Sequence, residues 1–289
     1  MSSNIVLSAA MEQNLLSLQN TQMQMNKTQQ ALATGYSVNS ATDNPSAYFA
    51  AQSERNRAGL LSNLKAAMGE AVQTVTEAQN GVTAITALIQ QMQAVVQSAK
   101  TATTAGRDTL QTQYNTLRTQ LNQTVGDANY KGTNLLESQT LTVTFNETST
   151  ATLSITGFSA VAGSRTSFNA TTISGGLGIS TAGSTGAYSW GGATFNQILA
   201  THASQLSSAL ATLQTQSQNL AANLSVVTVR QEFASNTIDT LNAGADGLTL
   251  ADPNQEGANM LALQTRQQLG IDSLSLASQA QQSILKLFP

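Results

Sequence analysis

The residue types able to do chemistry are scarce in this chain and poorly placed for it. His202 is the single histidine in 289 residues. No second histidine stands three or four places from it, so a His-x-x-His metal pair cannot form. There is no cysteine, which removes thiol catalysis, thiolate-bound metals and disulfides together. Gly175, Gly176 and Gly178 form a cluster of the sort that wraps phosphate. No Lys-Ser/Thr pair follows it and no strand and helix flank it, so it reads as a flexible turn. Glu54-Arg55-Asn56-Arg57 is a charged run in a chain with only 9% charged residues. It reads either as a solvated helix face or as an ion pair to another chain. Trp190 and Phe195, beside Gly191-Gly192, suit anchors of a chain segment better than a sugar platform. No catalytic, cofactor or metal site is expected.

The elements around these residues are built from an unusual composition. An ordinary soluble domain has about 25% charged residues. This one has 9%, with 4% aromatics. A surface so short of charge can be buried against copies of itself at little desolvation cost. The net charge is −3, and no basic stripe invites nucleic acid. No run of about 18 apolar residues exists, so no helical membrane span is expected. Met1-Ser2-Ser3-Asn4 has neither a basic region nor a following apolar core, so export without a cleaved signal peptide is expected.

Heptad spacing dominates the chain. Leu61, Leu64, Met68, Ala71, Val75, Ala78, Val82, Ile85, Ile89, Met92, Val96 and Ala99 follow in alternating steps of three and four. Such a 3.5-residue period keeps an apolar seam on one side of a helix and asks for a coiled-coil partner. A second seam runs Leu199, Ala203, Leu206, Leu210, Leu213, Ser217, Leu220, Leu224, Val227, Gln231, Ala234, Ile238, Leu241, Ala245. The two are expected to pair in one rod. Leu110, Tyr114, Leu117, Leu121, Val125 and Ala128 predict a third helix, folded back after a break over Thr103–Arg107.

Both ends repeat the pattern more weakly. Met11, Leu15, Leu18, Met25 and Leu32 share a seam with Gln22 and Gln29. Met260, Leu263, Leu274, Ala277, Ile284 and Phe288 share another, interrupted by Gln267, Gly270 and Gln281. Ile5, Val6, Leu7, Leu16, Leu261, Leu276, Leu285 and Leu287 add apolar surface off these seams. Such helices are marginal alone and are expected to order on assembly. Asp43-Asn44-Pro45 predicts an N-cap at Asn44 and a first helical turn at Pro45. Asp252-Pro253-Asn254-Gln255 predicts the same, with Gln255 placed for a capping box. Turns are expected from Gly35 to Thr42 and from Gly244 to Ala251. Between the rod helices, Leu141–Phe145 and Leu153–Ile155 alternate with period two, with Asn146–Thr150 as the turn.

Three stretches resemble bacterial flagellins. Leu32-Ala33-Thr34-Gly35-Tyr36-Ser37-Val38-Asn39-Ser40-Ala41-Thr42-Asp43-Asn44-Pro45 is similar to the family's N-terminal signature. Asn129-Tyr130-Lys131-Gly132-Thr133-Asn134-Leu135-Leu136 resembles its Phe-Asn-Gly-x-x-Leu-Leu stretch. Gln279 to Phe288 looks like its apolar tail. The resemblance spans roughly the first 137 and last 95 residues.

It implies a mainly α fold: a long antiparallel coiled-coil rod with a small β-rich insertion. Residues 1–38 and 253–289 would form the filament's inner tube. Residues 39–137 and 196–252 would form the shell around it, and 138–195 the exposed insertion. It also implies type III export, a chaperone on the C-terminal region, and cap and hook-associated proteins as partners. The extracellular filament is the implied destination. The expected assembly and hinge residues are Leu15, Leu18, Leu32, Gly35, Asn39, Asp43, Asn44, Pro45, Asp252, Pro253, Leu274, Ile284 and Leu285. Asn39, Asp43 and Asn44 are also explained as cap and turn residues alone.

The departures are of an alphaproteobacterial kind. Ser37 stands where many flagellins carry Arg or Lys, so a family charge contact between subunits lacks its cation. Gln90, Gln93 and Ala94 replace the Arg, Glu and Leu of enterobacterial flagellins, where the vertebrate innate receptor binds. The His-Glu-x-x-His motif of protease-bearing flagellins is absent. The nearest rival is a hook–filament junction protein. A secreted membrane-acting translocator would need an apolar insertion that this chain lacks.

Overall fold

The computed structural model describes residues 9–163, 176–183 and 189–287, with the side chains of Ala10, Gln281 and 284–287 set aside. Five helices and one hairpin follow in chain order: α1 (Ala9–Thr34), α2 (Pro45–Thr101), α3 (Thr104–Asp127), β1 (Thr140–Thr144), β2 (Thr152–Thr156), α4 (Phe195–Thr249) and α5 (Pro253–Leu287). They form two compact units. The first comprises residues 1–58 and 239–289, the second 59–238.

In the second unit the predicted seams are the core. Eleven of the twelve seam residues of α2 are buried, and only Leu64 is half-buried. On α4, Leu199, Leu206, Leu213, Leu220, Val227 and Ala234 are buried at every seventh position. The alternate positions, Ala203 to Ile238, are half-buried. One heptad row thus faces the shared core and the other lines its edge. The polar interruption at Gln231 is satisfied by donating to the Lys65 carbonyl, at 3.4 Å.

The third helix forms as predicted, but the break before it is shorter. Thr103 is its N-cap, and its hydroxyl accepts the Gly106 N–H at 3.2 Å. Thr104 to Arg107 are therefore the first turn of α3, not a loop. Arg107 braces this corner, donating to the carbonyls of Ala102 and Trp190 and lying 3.9 Å over the Phe195 ring. Trp190 and Phe195 are the anchors expected of them.

The hairpin pairs Leu141 with Ile155 and Val143 with Leu153, in antiparallel register. Asn146 closes its turn, with the Ala151 N–H on its side-chain oxygen at 3.0 Å. Below it, Lys131 and Gly132 both adopt positive φ, at 49° and 86°, in the turn from Tyr130 to Thr133. Asn134 is fully buried. It donates to the Val125 carbonyl at 2.7 Å and accepts the Leu136 N–H at 2.9 Å.

The glycine cluster has no phosphate-binding form. A Cβ on Gly176 would lie 2.1 Å from the Val161 carbonyl oxygen, and Gly176 and Gly178 have φ of +76° and +73°. These glycines permit a close backbone pairing, Leu177 to Val161 and Ile179 to Ala162. Gly175 lies outside the described residues.

In the first unit α1 packs on α5. The α5 seam forms as predicted: Leu263 is buried, and Met260, Gln267, Gly270, Leu274 and Ala277 are half-buried. Half of the predicted α1 seam forms, with Met11 buried and Leu18 and Met25 half-buried, while the alternate positions are offset from the predicted ones. Thr21, Thr28 and Ala31 are buried and Asn14 is half-buried, whereas Gln22, Gln29, Leu15 and Leu32 face outward. The offset follows the hydrogen bonds available to the polar face. Asn14 donates to Ser273 at 3.3 Å, and the Thr21 hydroxyl is engaged by the Ser17 carbonyl. Ile5, Val6, Leu7 and Phe288 lie outside the described residues.

Candidate assembly site

The site is built where the joints meet. Gly35 ends α1 with φ +76°, its N–H on the Ala31 carbonyl at 2.8 Å. This is the left-handed cap that glycine adopts without strain. The chain then runs across the end of α4. Ser37 N–H and Val38 N–H both donate to the Thr249 carbonyl, at 2.8 and 3.3 Å, and Ala251 N–H donates to Gly35 at 2.9 Å. The Ser37 hydroxyl reaches the carbonyls of Thr249 and Leu250, at 3.2 and 3.1 Å. A helix end leaves its last carbonyls without partners. Ser37 supplies those partners here.

Asn44 and Pro45 form the predicted cap. The Asn44 side-chain oxygen accepts the Ala47 N–H at 3.2 Å, and Pro45 opens α2. Asp252 caps α5 with bonds from Asn254 and Gln255 N–H, at 2.8 and 3.4 Å. Only this half of the capping box forms; among the described residues no hydrogen bond returns from the Gln255 side chain.

The predicted turn from Gly244 to Ala251 is corrected by the structure. α4 continues to Thr249, so Gly244 and Gly247 are helical and the joint shrinks to Leu250–Asp252. Gly244 is explained by packing: a Cβ there would meet Glu54 Oε2 at 2.7 Å. The neighbouring Arg55 lies 3.1 Å from Asp246, donates to the Thr249 hydroxyl at 3.0 Å and sits over the Tyr36 ring. At Arg55 the charged run is thus not a bare solvated face, because Arg55 pairs with Asp246 of the same chain. With both partners over a third exposed, such a pair contributes about 0–1 kcal/mol. Its role is to align the joint.

Asp43 organises the first joint. Its Oδ2 accepts the N–H groups of Asn39 and Ser40, at 3.1 and 3.0 Å, and the Ser40 hydroxyl at 3.1 Å. Asn39 also donates to the Tyr36 carbonyl at 3.1 Å. The Ser40 hydroxyl, then the backbone donors and Lys27, hold the Asp43 carboxyl below its ordinary 3.8. The bonded form is the charged one, so its contribution to stability is complete above about pH 3.8 and is lost as pH falls through the lower folded value. Amide exchange at Asn39 and Ser40 should be protected near neutral pH and lose protection only in that acid window. In Asp43→Asn the protection should already be lost at neutral pH.

On the terminal helices, Gly270 lets α1 approach closely. Its Cβ would lie 2.9 Å from Leu18 Cδ2. Leu18 and Leu274 are half-buried on the inner face, while Leu15 and Leu32 are 41% and 40% exposed. Ile284 and Leu285 lie in α5, with side chains outside those described. Gln90, Gln93 and Ala94 lie on the outer side of α2, with Gln90 and Ala94 exposed and Gln93 half-buried. The structure does not bring them to the joint. His202 is buried, its Nδ1 2.9 Å from the Ile198 carbonyl, among the rings of Tyr114 and Trp190. Among the described residues no group of three metal-binding side chains occurs, and no helix is long and apolar enough to cross a membrane.

Residues 3–140 match the bacterial flagellin N-terminal helical region, and residues 224–288 match the bacterial flagellin C-terminal helical region. Flagellin FljM of Caulobacter vibrioides is 30% identical over 280 residues, covering 95% of each chain. The chain belongs to the bacterial flagellin family. Flagellin FljK of the same organism is 30% identical over 277 residues, 95% of this chain and 94% of its own. A flagellin of Brucella melitensis is 28% identical over 274 residues, 95% of each. These relatives are alphaproteobacterial, as the resemblance implied. In this flagellin the joint that Ser37, Arg55 and Thr249 build was not legible as a unit. Its signals were the two predicted turns, Gly35–Thr42 and Gly244–Ala251, and the charged run around Arg55.

Proposed function

We propose that this flagellin is the exported subunit of a flagellar filament and that its terminal helices carry the subunit contacts. The supporting observation is the poor burial of those helices. Against the buried Met11, Ala31 and Leu263, the α1–α5 pair leaves Leu16, Met23, Leu261, Leu269 and Leu276 each at least 59% exposed. That much apolar surface at both chain ends is what self-assembly would cover. The role is structural rather than catalytic. A hook–filament junction role is the less favoured reading, because the full-length relatives are named flagellins.

In this account residues 1–38 and 253–289 order in the inner tube as the subunit joins. A chaperone holds the C-terminal region before type III export, without a cleaved signal, and cap and hook-associated proteins receive the chain outside the cell. Removing residues before Asn39 and after Asp252 should leave a folded chain that does not polymerise. Sedimentation and circular dichroism of that fragment test this, and assembly of the fragment would refute the assignment of the ends. The exposed Gln90 and Ala94, with Gln93, predict weak recognition by the innate flagellin receptor. A receptor-reporter assay should give potency well below that of an enterobacterial flagellin, and equal potency would contradict the reading.

A further inference from the structure

Gln205, near the start of α4, is a buried glutamine with half of its amide unused. The residue is only 7% exposed. Its Oε1 accepts the Ser180 N–H at 3.1 Å and the Ser180 hydroxyl at 2.8 Å. Those two donors fix which end of the amide is oxygen. Nε2 is thereby turned from Ser180 with two hydrogens to give, and among the described residues no acceptor meets it. Folded proteins leave few buried donors in that condition, because each has given up its hydrogen bonds to water.

The same side chain lines a groove of about 460 Å³ between α4 and the segment at Leu177 and Gly178, a volume within the range of small-molecule sites. Gln197, Thr201, Ser204 and Ser208 succeed one another along the helical wall in steps of three and four, which puts them on one face. Gln197, Ser204 and Ser208 are exposed there and offer both donors and acceptors. The Thr201 hydroxyl is engaged by the Gln197 carbonyl at 2.9 Å. Its methyl is left to join Leu177 and Ala200 in an aliphatic patch. Gly178, at φ +73°, puts no side chain into the space. Among the described residues none that lines the groove carries a charge.

That chemistry selects the ligand. An ionic group would shed its hydration here and meet no counter-charge. A neutral ring with hydroxyls at its edge and C–H groups on its faces matches hydroxyls and amides set beside aliphatic surface. We propose that this groove binds a neutral saccharide one pyranose ring in size, with a ring or hydroxyl oxygen as the acceptor for Gln205 Nε2. Its hydroxyls meet Ser204 and Ser208, and a C–H face lies on Leu177 and Ala200. Every residue of the groove belongs to the second unit, so binding does not depend on polymerisation.

The test is an NMR titration of the isotope-labelled full chain, unseeded and monomeric. The probes are D-glucose, D-galactose and, as the charged comparison, D-glucuronate, each to about 100 mM. Wild type is compared with Gln205→Glu and Ser204→Leu. Gln205→Glu keeps an oxygen for Ser180 and removes both Nε2 hydrogens. Ser204→Leu fills the groove from an exposed position, and circular dichroism should show wild-type helicity for it. At least one hexose should give saturable shifts at the Gln205 side-chain amide and at Gly178, Ser204 and Ser208. The dissociation constant should be on the order of 1–10 mM. Gln205→Glu should weaken binding at least about tenfold, Ser204→Leu should abolish it, and glucuronate should bind wild type at least about tenfold more weakly. The site is refuted if neither hexose gives saturable shifts in wild type, or if a folded Gln205→Glu or Ser204→Leu binds the hexose as wild type does. Glucuronate binding as tightly as the hexose would overturn the neutral class of ligand.

Discussion

Trp190→Ala should destabilise the monomeric subunit by about 3–5 kcal/mol, the range for emptying a fully buried aromatic site. Trp190 is buried completely and is the chain's only tryptophan. Its ring lies 5.3 Å from that of Tyr114 and 5.7 Å from that of His202, and those two rings stand 5.0 Å apart, edge to face. Its backbone is held as well. Its N–H donates to Gln111 at 2.9 Å, and its carbonyl accepts from Arg107 at 2.7 Å. Removing the indole therefore opens a cavity where α3, α4 and the returning insertion share one core. Trp190→Phe should be much milder, within about 1.5 kcal/mol, because among the described residues the buried indole N–H has no hydrogen-bond partner for the substitution to remove. Denaturant unfolding of the monomer separates the two. Equal losses for Ala and Phe would mean that the indole nitrogen matters and the packing account is wrong.

Gly81→Ala should also destabilise, against the helix-forming tendency of alanine. In an exposed helix the exchange is favourable by about 1 kcal/mol. At Gly81 the new Cβ would sit 2.6 Å from Leu136 Cδ1 and 2.8 Å from Ala128 Cβ. Leu136 is completely buried and Ala128 nearly so, so neither can move aside freely. Overpacking of this sort costs about 1–3 kcal/mol, enough to reverse the sign. Gly81→Val should cost more. Gly59→Ala is the internal control: it lies in the same helix with nothing within 4 Å of its Cβ, so it should stabilise by up to about 1 kcal/mol. If both alanine variants stabilise, the close approach of Leu136 to α2 is not real.

Periodicity made the core legible. The α2 seam from Leu61 to Ala99 is an unbroken apolar heptad, and an uninterrupted 3.5-residue period has few other solutions. Caps were legible for a local reason: Asn44-Pro45 and Asp252-Pro253 state their geometry in two residues. The α1 seam was only half legible, because Leu15 and Leu32 on one side compete with Thr21 and Ala31 on the other. Hydrophobicity alone chooses the leucines, whereas the helix buries the smaller side chains against α5 and leaves the leucines outward. Gly244 misled as a helix stop because glycine marks turns in general, while here it makes room for Glu54 within a continuing helix. The long-range bonds from Ser37 to Thr249 and from Arg55 to Asp246 were not legible either, because no local pattern encodes them. Asp43 was legible as a turn residue, but not as the acceptor of three hydrogen bonds.

This flagellin should polymerise by itself into a filament. The purified full-length chain, brought above its critical concentration with sheared seeds and viewed by electron microscopy, should form long filaments of uniform diameter that lengthen with added subunit. A sample holding only monomers or closed oligomers under those conditions would overturn self-assembly as its function.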